Sequence, residues 1–591
     1  PAAAAWCAAL AASPLVATPD GAAAGLACPL VLDRTRLYLT RYWRHQRRLL
    51  DALRARAATV RDDVDEAVLR VGIDRLFRAD GEPADARQVD AAATAVLRGL
   101  AVITGGPGTG KTWTVLRVLA LLAEQRRACG EPMPRVALAA PTGKAAARLV
   151  ESIAVGLPAL RVDPEIAAAI PRGARTVHAL LGWQPRTPTR FRHDAANPLP
   201  ADVVVVDEAS MVDLALMAKL VDAVAPGARL VVLGDRNQLA SVEAGSILAD
   251  VCGPAGEAPS PAFARRLGRA TAPAASAEAT SADATSAGAT GADATCADGA
   301  ARAAPPMQDA IVRLVRSRRF RDDGGIGALA RAINDGDAER ALALLGAGAG
   351  SADPSAQVGW IPLDPRGGGM ARVRERALQG YRRILRPQGA RAALDALGRF
   401  RVLAAHREGA FGVAGLDATI AEALTAEGTL PRPPHPGAWV AGTPLLVTEN
   451  DPALGLYNGD VGVLLGDADA ATSGRLRAWF RLPHDDGTLG ERAVAPARLP
   501  AHERVLAMTV HKAQGSEFDE VLLVLPPRPS PVLTRELLYT GVSRARTRVT
   551  VAGTPEVLRA AIAERVQRAS GLRVALWGDD AADPARSAEP C

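Results

Sequence analysis

Four short stretches carry apolar residues at nearly every position rather than at every second one: AVITG (101–105), RVALAAP (135–141), VVVVDE (203–208) and RLVVLGD (229–235). Strands of this kind are buried on both faces, as in a parallel sheet covered by helices. Helically spaced segments separate them, so an α/β unit is predicted over roughly 86–260. The first 85 residues are rich in Ala, Leu and Arg, with helical spacing from Leu37 onward, and read as a helical domain. Residues 437–500 have few helical periods and place the turn pair Asn458-Gly459 between apolar runs, as in a small β unit. A last α/β block follows it.

One tract has no such pattern. SAEAT, SADAT, SAGAT and GADAT repeat within residues 271–306, and no Lys or Arg occurs from 271 to 301. A segment so poor in large apolar residues cannot bury a core, and a disordered insertion is expected over 261–306.

Composition narrows the class. The 591 residues are long enough for several cores, and the net charge of +6 permits a nucleic-acid surface without requiring one. No apolar run reaches the roughly 18 residues of a membrane span. The Ala-rich start has no cation before Arg34, unlike a secretory signal. Six scattered cysteines with no CxxC pair fit a reducing compartment, so a cytoplasmic location is expected. Only four of the 70 basic residues are lysines: Lys111, Lys144, Lys219 and Lys512. Where arginine has taken nearly every basic position, a retained lysine marks a place that a planar guanidinium does not suit.

The sharpest chemistry is GGPGTGKT, residues 105–112, between a strand and a helix. Gly105, Gly106, Pro107, Gly108, Thr109 and Gly110 form a loop whose backbone N–H groups can face phosphate oxygens. Lys111 supplies a compact cation at the β/γ-phosphates, and the Thr112 hydroxyl can bind Mg²⁺. The strand ending in Asp207 and Glu208 completes the pattern of an ATP site: Asp207 to hold Mg²⁺, Glu208 to polarise the attacking water. The strand before Asp235 leads to Gln238, a candidate γ-phosphate sensor.

A phosphate loop alone covers kinases, GTPases and ATPases. Further segments decide among them: APTGKAAARL (140–149), TVHALLGW (176–183), SRRF (317–320), HREGAFGVAGLD (406–417), MTVHKAQGSEFD (508–519) and LYTGVSRAR (538–546). Their order and spacing over about 86–553 resemble the superfamily-one DNA helicases and, within them, the RecD family. The resemblance implies an α/β fold with two RecA-like P-loop motor domains, a helical N-terminal domain and a small SH3-like β insertion. The expected division is 1–85 N-terminal domain, 86–260 first motor, 261–306 insertion, 307–436 and 501–560 second motor, 437–500 SH3-like unit and 561–591 tail.

The resemblance also implies site residues. Arg319 and Arg544 would reach the γ-phosphate from the second motor, and Gln88, seventeen residues before Gly105, would pair with adenine. Thr142, Lys144, Thr176, His178, Thr509 and His511 would line the path of single-stranded DNA, touching phosphate and sugar rather than reading sequence. Zinc is a poor alternative for His178 and His511, because no third ligand is spaced near either. ATP and Mg²⁺ are the expected cofactors. The implied activity is a 5′→3′ DNA helicase acting on DNA ends with RecB and RecC subunits, in double-strand break repair. No separate carboxylate cluster for phosphodiester cleavage is found, which assigns nuclease chemistry to another subunit. A free-standing RecD-like helicase and a regulatory ATP-binding subunit are the alternatives.

Two features depart from the family pattern: Trp113 follows Thr112, where small or polar residues are usual, and the Ala-rich tract is extra. Outside the motor, Arg34 to Arg48 holds Tyr38, Tyr42 and Trp43 among arginines. On a helix, Tyr38 and Tyr42 would share one face, as anchors for a partner subunit or as part of a DNA-binding arm.

Overall fold

A computed structural model describes residues 3–23, 25, 27–78, 84–184, 187, 189–241, 245–253, 258–272, 306–320 and 325–347. It further describes 357–364, 369–385, 389–435, 437–451, 453–466, 475–483, 489–566 and 570–578. Nearly all of the Ala-rich tract, 273–305, lies outside the described residues.

After a helix at Ala3–Ala11 comes a small three-stranded sheet, β1 (Val16–Ala17), β2 (Leu30–Asp33) and β3 (Arg36–Leu39). This corrects the helical reading from Leu37. Asp33 pairs with Arg36 across a two-residue turn in which Arg34 takes φ +55°. Such turns usually carry Gly or Asn, so no local signal marks this hairpin. Tyr38 therefore sits on a strand, and Tyr42 and Trp43 on the following helix, Thr40–Ala58. Trp43 is buried with Ala17, Ala22 and Val31, and Tyr42 packs against the first motor. The aromatic trio is not a free helix face. The helix itself is fastened by Arg56, whose guanidinium donates to the Ala228 carbonyl at 3.1 Å and to Ala225 at 3.2 Å. These carbonyls follow the end of helix Leu214–Ala223, where a buried cation meets orphan acceptors.

The first motor sheet contains β4 (Leu100–Gly105), β5 (Val136–Ala140), β6 (Arg175–Thr176), β7 (Val203–Val206), β8 (Arg229–Gly234) and β9 (Ile311–Leu314). All are parallel, in the order β6-β5-β7-β8-β4-β9. Period-two alternation sends Ile103, Val205 and Leu233 to one apolar layer and Val102, Val204 and Val232 to the other. That double burial is why these strands lack polar positions.

The boundaries on either side of the Ala-rich tract move. Helix Pro261–Thr271 belongs to the first motor, with Phe263, Leu267 and Ala270 buried. Its apolar spacing was masked by the low-complexity run beside it. β9, expected in the second motor, pairs with β4 instead. A buried ion pair between Arg98 and Asp309, 2.6 Å, holds the returning chain there.

The second motor sheet comprises β10 (Val358–Pro362), β11 (Phe400–Ala404) and, after an inserted unit, β17 (Ala507–Thr509), β18 (Phe518–Val524) and β19 (Ala545–Gly553). The order is β10-β19-β18-β11-β17, again all parallel. Both sheets, covered by helices, have the architecture expected of RecA-like motors. The inserted antiparallel sheet runs through β12 (Pro444–Val447), β13 (Val461–Gly466), β14 (Leu476–Pro483), β15 (Leu489–Val494) and β16 (His502–Arg504). It ends beyond residue 500, because β16 pairs with β12. Only Val505 and Leu506 separate it from the motor. Asp417, from HREGAFGVAGLD, pins that junction by accepting from Leu506 N at 2.8 Å and Arg504 Nε at 2.6 Å.

The expected tail is partly structural. Helix Leu572–Trp577 lies on the first motor, with Leu572 and Leu576 in its core. Ser570 Oγ donates to Asp250 at 2.6 Å, Trp577 Nε1 to the Asp250 carbonyl at 3.2 Å, and Gly571 N to Gln46 Oε1 at 3.0 Å. Replacing fully buried Leu572 with Ala should therefore destabilise the chain by about 2–5 kcal/mol. A melting temperature unchanged from wild type would show that residues 570–578 are dispensable.

Candidate nucleotide and DNA site

The phosphate loop leaves β4 and enters helix Lys111–Ala128. Gly108 (φ +76°) and Gly110 (φ +83°) adopt left-handed backbone that side chains disfavour. Space also excludes a side chain: a Cβ on Gly108 would meet Arg319, and one on Gly110 would meet Gln88. Lys111 Nζ donates to the carbonyls of Gly105 (2.6 Å) and Gly106 (3.1 Å), inside the curl of the loop. Thr109 Oγ1 braces the loop by donating to Gly106 O at 2.8 Å. Thr112, in the first helical turn, is half-buried.

Asp207 and Glu208 follow β7. The Asp207 carboxylate accepts from Glu208 N at 2.8 Å, and Glu208 takes the left-handed φ of +52°, a sparsely populated state for a non-glycine residue. Burial, with Glu208 beside it, raises Asp207 to about 6 despite the pull of Lys111. Asp235, after β8, is likewise pushed up by burial. It accepts from Gln238 Nε2 at 3.4 Å and from the Tyr539 hydroxyl at 2.7 Å.

Tyr539 comes from the second motor. Around it, Leu239 N donates to Thr540 Oγ1 at 2.8 Å and Gln514 Nε2 to Leu239 O at 2.6 Å. Arg544 is 2% exposed and donates to the carbonyls of Thr540 and Ser516, both at 3.2 Å. Burial lowers its pKa, and Glu208 and Glu517 offset that. Tyr539, Thr540, Gln514 and Glu517 all lie within segments the sequence singled out, yet none was assigned a role. Their signal was proximity to a motif; their partners are distant in the chain.

Arg319 stands where the two motors join, one residue before Phe320 in the second motor's core. It follows β9, so it rides on the phosphate loop: Arg318 N donates to Gly108 O at 2.9 Å and Ser317 Oγ to Pro107 O at 3.1 Å. Trp113 has a packing explanation. Its ring meets Phe77 edge-on at 5.4 Å, with the guanidiniums of Arg117 and Arg318 at 3.1 and 5.1 Å from its centre. The indole turns toward the core instead of the loop.

Gln88 is buried, with Nε2 donating to Thr109 O at 2.9 Å. Its Oε1 has no partner, and neither do Ser210 Oγ, Gln238 Oε1, Arg319 Nη1 or Ser516 Oγ, all buried. Orphaned polar atoms are uncommon in protein interiors. These five belong to segments that meet around the phosphate loop, where a polar, multiply charged ligand would satisfy them. Gln88 Oε1 is an acceptor suited to an adenine amino group. Asp207 and the Thr112 hydroxyl offer hard oxygen donors of the kind Mg²⁺ takes together with nucleotide phosphates.

On the DNA side, Thr142 caps helix Gly143–Gly156, accepting from Ala145 N at 3.2 Å. Thr176 caps helix Val177–Leu181, and β6 pairing sets it beside Ala140, so the two threonines share one sheet end. His178 lies 5.7 Å from the Phe191 ring. Thr509 accepts from Lys512 N at 3.1 Å and is buried, whereas His511 is half-buried. A methyl on Gly515 would touch Thr142 and Ala145, so this turn of the second motor abuts the first. Lys144 is brought close to the inserted sheet. Burial, with Arg148 and Arg401 nearby, lowers it to about 7, and Asp460 works the other way.

Comparison with known proteins agrees with this geometry. An AAA domain model matches residues 88–244, and a UvrD-like helicase C-terminal domain model matches 504–552. The class is therefore a P-loop motor with a helicase-type second domain. The RecBCD enzyme subunit RecD of Mycolicibacterium smegmatis is 40% identical, over 96% of this chain and 86% of its own length. That of Haemophilus influenzae is 34% identical, over 92% and 80%. The ATP-dependent RecD2 DNA helicase of Deinococcus radiodurans is 30% identical, over 79% of this chain and 48% of its own length. The chain belongs to the RecD family.

Two outcomes test the site. Lys111→Gln should abolish ATP turnover without unfolding the chain, and Lys111→Arg should fail too, because a fork does not replace a compact ammonium. Full DNA-stimulated turnover in Lys111→Arg would refute that reading of the rare lysines. Asp207 would have to be ionised to hold Mg²⁺. Because its pKa is raised, Mg²⁺-dependent nucleotide binding should weaken as pH falls through about 6. Titration of a fluorescent ATP analogue at pH 7.5 and 5.5 checks this, and Asp207→Asn should bind weakly at both.

Proposed function

We propose that this chain is an ATP-driven helicase that moves 5′→3′ along single-stranded DNA as the RecD subunit of a cytoplasmic RecBCD-type assembly. The observation that carries the motor reading is the seam: Asp235 of one motor is bonded to Tyr539 of the other, beside the phosphate loop. Nucleotide at that loop would lie between the two motors, so its presence would favour one relative position of them.

Within that reading, Lys111 and the loop amides of Gly105 to Gly110 hold the phosphates, and Gln88 holds adenine. Thr112 and Asp207 would hold Mg²⁺, which supplies charge neutralisation at the transferring phosphoryl group. Glu208 orients the attacking water. Gln238, Arg319 and Arg544 answer to the γ-phosphate. Thr142, Lys144, Thr176, His178, Thr509 and His511 form the track for the strand. Partnership with RecB and RecC is supported by the names of the relatives, and polarity by the family resemblance. The cleavage of phosphodiester bonds is assigned to another subunit. Among the described residues, no helix is long and apolar enough to cross a membrane.

Strand-displacement assays with 5′-tailed and 3′-tailed duplexes test polarity. The 5′-tailed substrate should be unwound at least about tenfold faster in the presence of ATP. Equal rates, or preference for the 3′ tail, would reject the assignment. Co-purification with RecB and RecC tests assembly.

A further inference from the structure

Glu517 is the acid that closes MTVHKAQGSE, one residue before β18. Three arginines from different parts of the fold converge on it. Oε1 accepts from Arg319 Nη2 at 2.9 Å. Oε2 lies 3.2 Å from Arg148 Nη2 and 3.1 Å from Arg546 Nε. Arg148 belongs to the helix capped by Thr142, and its other Nη donates to Gly515 O at 2.8 Å. Arg319 belongs to the segment bonded to the phosphate loop, and Arg546 to the start of β19, just beyond Arg544. Burial alone would raise this carboxyl, but Arg148 and Arg319, then Arg544, draw it down to about 2. It is ionised at any working pH.

The arrangement joins the two ends of the proposed motor reaction. Arg319 gives only one of its Nη groups to Glu517. The other, Nη1, is buried without a partner. The same carboxylate holds Arg148, on the helix that begins with Thr142 and Lys144. We infer that Glu517 is a positioning residue that makes ATP turnover depend on DNA: it fixes the aim of Arg319 through a carboxylate shared with the DNA-side helix. A shift of that helix moves Arg148, and with it the anion that orients Arg319. A misplacement of about 1 Å in a positioned group can cost on the order of 100-fold in rate, so a small displacement suffices.

This inference rests on the helicase reading, and one set of measurements separates the two. ATPase rates of the full chain are measured with and without single-stranded DNA for wild type, Glu517→Gln, Arg148→Gln and the double variant, with melting temperatures for each. Glu517→Gln keeps the shape but removes the charge. It should lower the ratio of DNA-stimulated to DNA-free turnover by at least about fivefold, mostly in kcat, with a smaller change in KM for ATP. Arg148→Gln, at a partly exposed position, should lower the same ratio, and Glu517→Asp should restore part of it. The double variant should be no worse than the poorer single one, because both break a single connection. A ratio within twofold of wild type in either single variant would overturn the inference. So would losses that multiply in the double variant, or that simply track melting temperature. Absence of DNA-stimulated turnover in wild type would sink the helicase reading itself, and this inference with it.

Discussion

Charge taken out of water at the seam between the two motors is answered in part from the opposite motor. Asp235 is 1% exposed and Arg544 2%, and neither could be left unpaired at such depth without a cost of several kcal/mol. Asp235 receives the Tyr539 hydroxyl, and Arg544 faces the acids Glu208 and Glu517. Each of these groups thus has a partner in the other motor beside those in its own. The site lies between them. Burial raises Asp207 and Asp235 and leaves them ready for a cation, while orphaned donors such as Arg319 Nη1 are ready for an anion.

Arginine supplies most of the fastening elsewhere. Arg56, Arg98 and Arg401 are buried at joints between segments, each spending its fork on main-chain carbonyls or on a single carboxylate. A guanidinium suits that work because several fixed donors can satisfy several carbonyls at once. Lysine appears where one compact charge is wanted. Lys111 sits inside the loop curl, and Lys144 is crowded enough that its proton is held only weakly near neutral pH.

What could be read directly from the sequence was whatever depends on near neighbours. The phosphate loop, the Asp207-Glu208 pair and the fully apolar strands are local patterns, and the two parallel motor sheets follow from them. What escaped notice depends on partners far along the chain. Nothing near Ile311 says that it pairs with β4, and nothing in RLYL says that a glycine-free turn makes it a strand. Trp43 looked like a docking anchor because its burial comes from Ala17 and Val31, which precede it in an unpatterned stretch. Glu517 and Tyr539 were visible as letters within motifs, but their partners Arg148 and Asp235 are supplied by the first motor. Arg319 was legible from its motif, but its anchoring on the phosphate loop was not, because the preceding β9 pairs with the distant β4.

The helix Leu572–Trp577 has a consequence for how the chain is made. It completes a core that also contains Leu49 from the N-terminal helix and Val204 from the middle of the first sheet. A ribosome therefore delivers β4 to β8 long before the segment that covers them. At roughly 5–20 residues per second, the interval between β9 and this helix is on the order of tens of seconds. Throughout it, the apolar seat of Leu572 and Leu576 faces water. The nascent motor is thus an unfinished domain awaiting a segment made much later, and a holding chaperone has a defined surface on which to act.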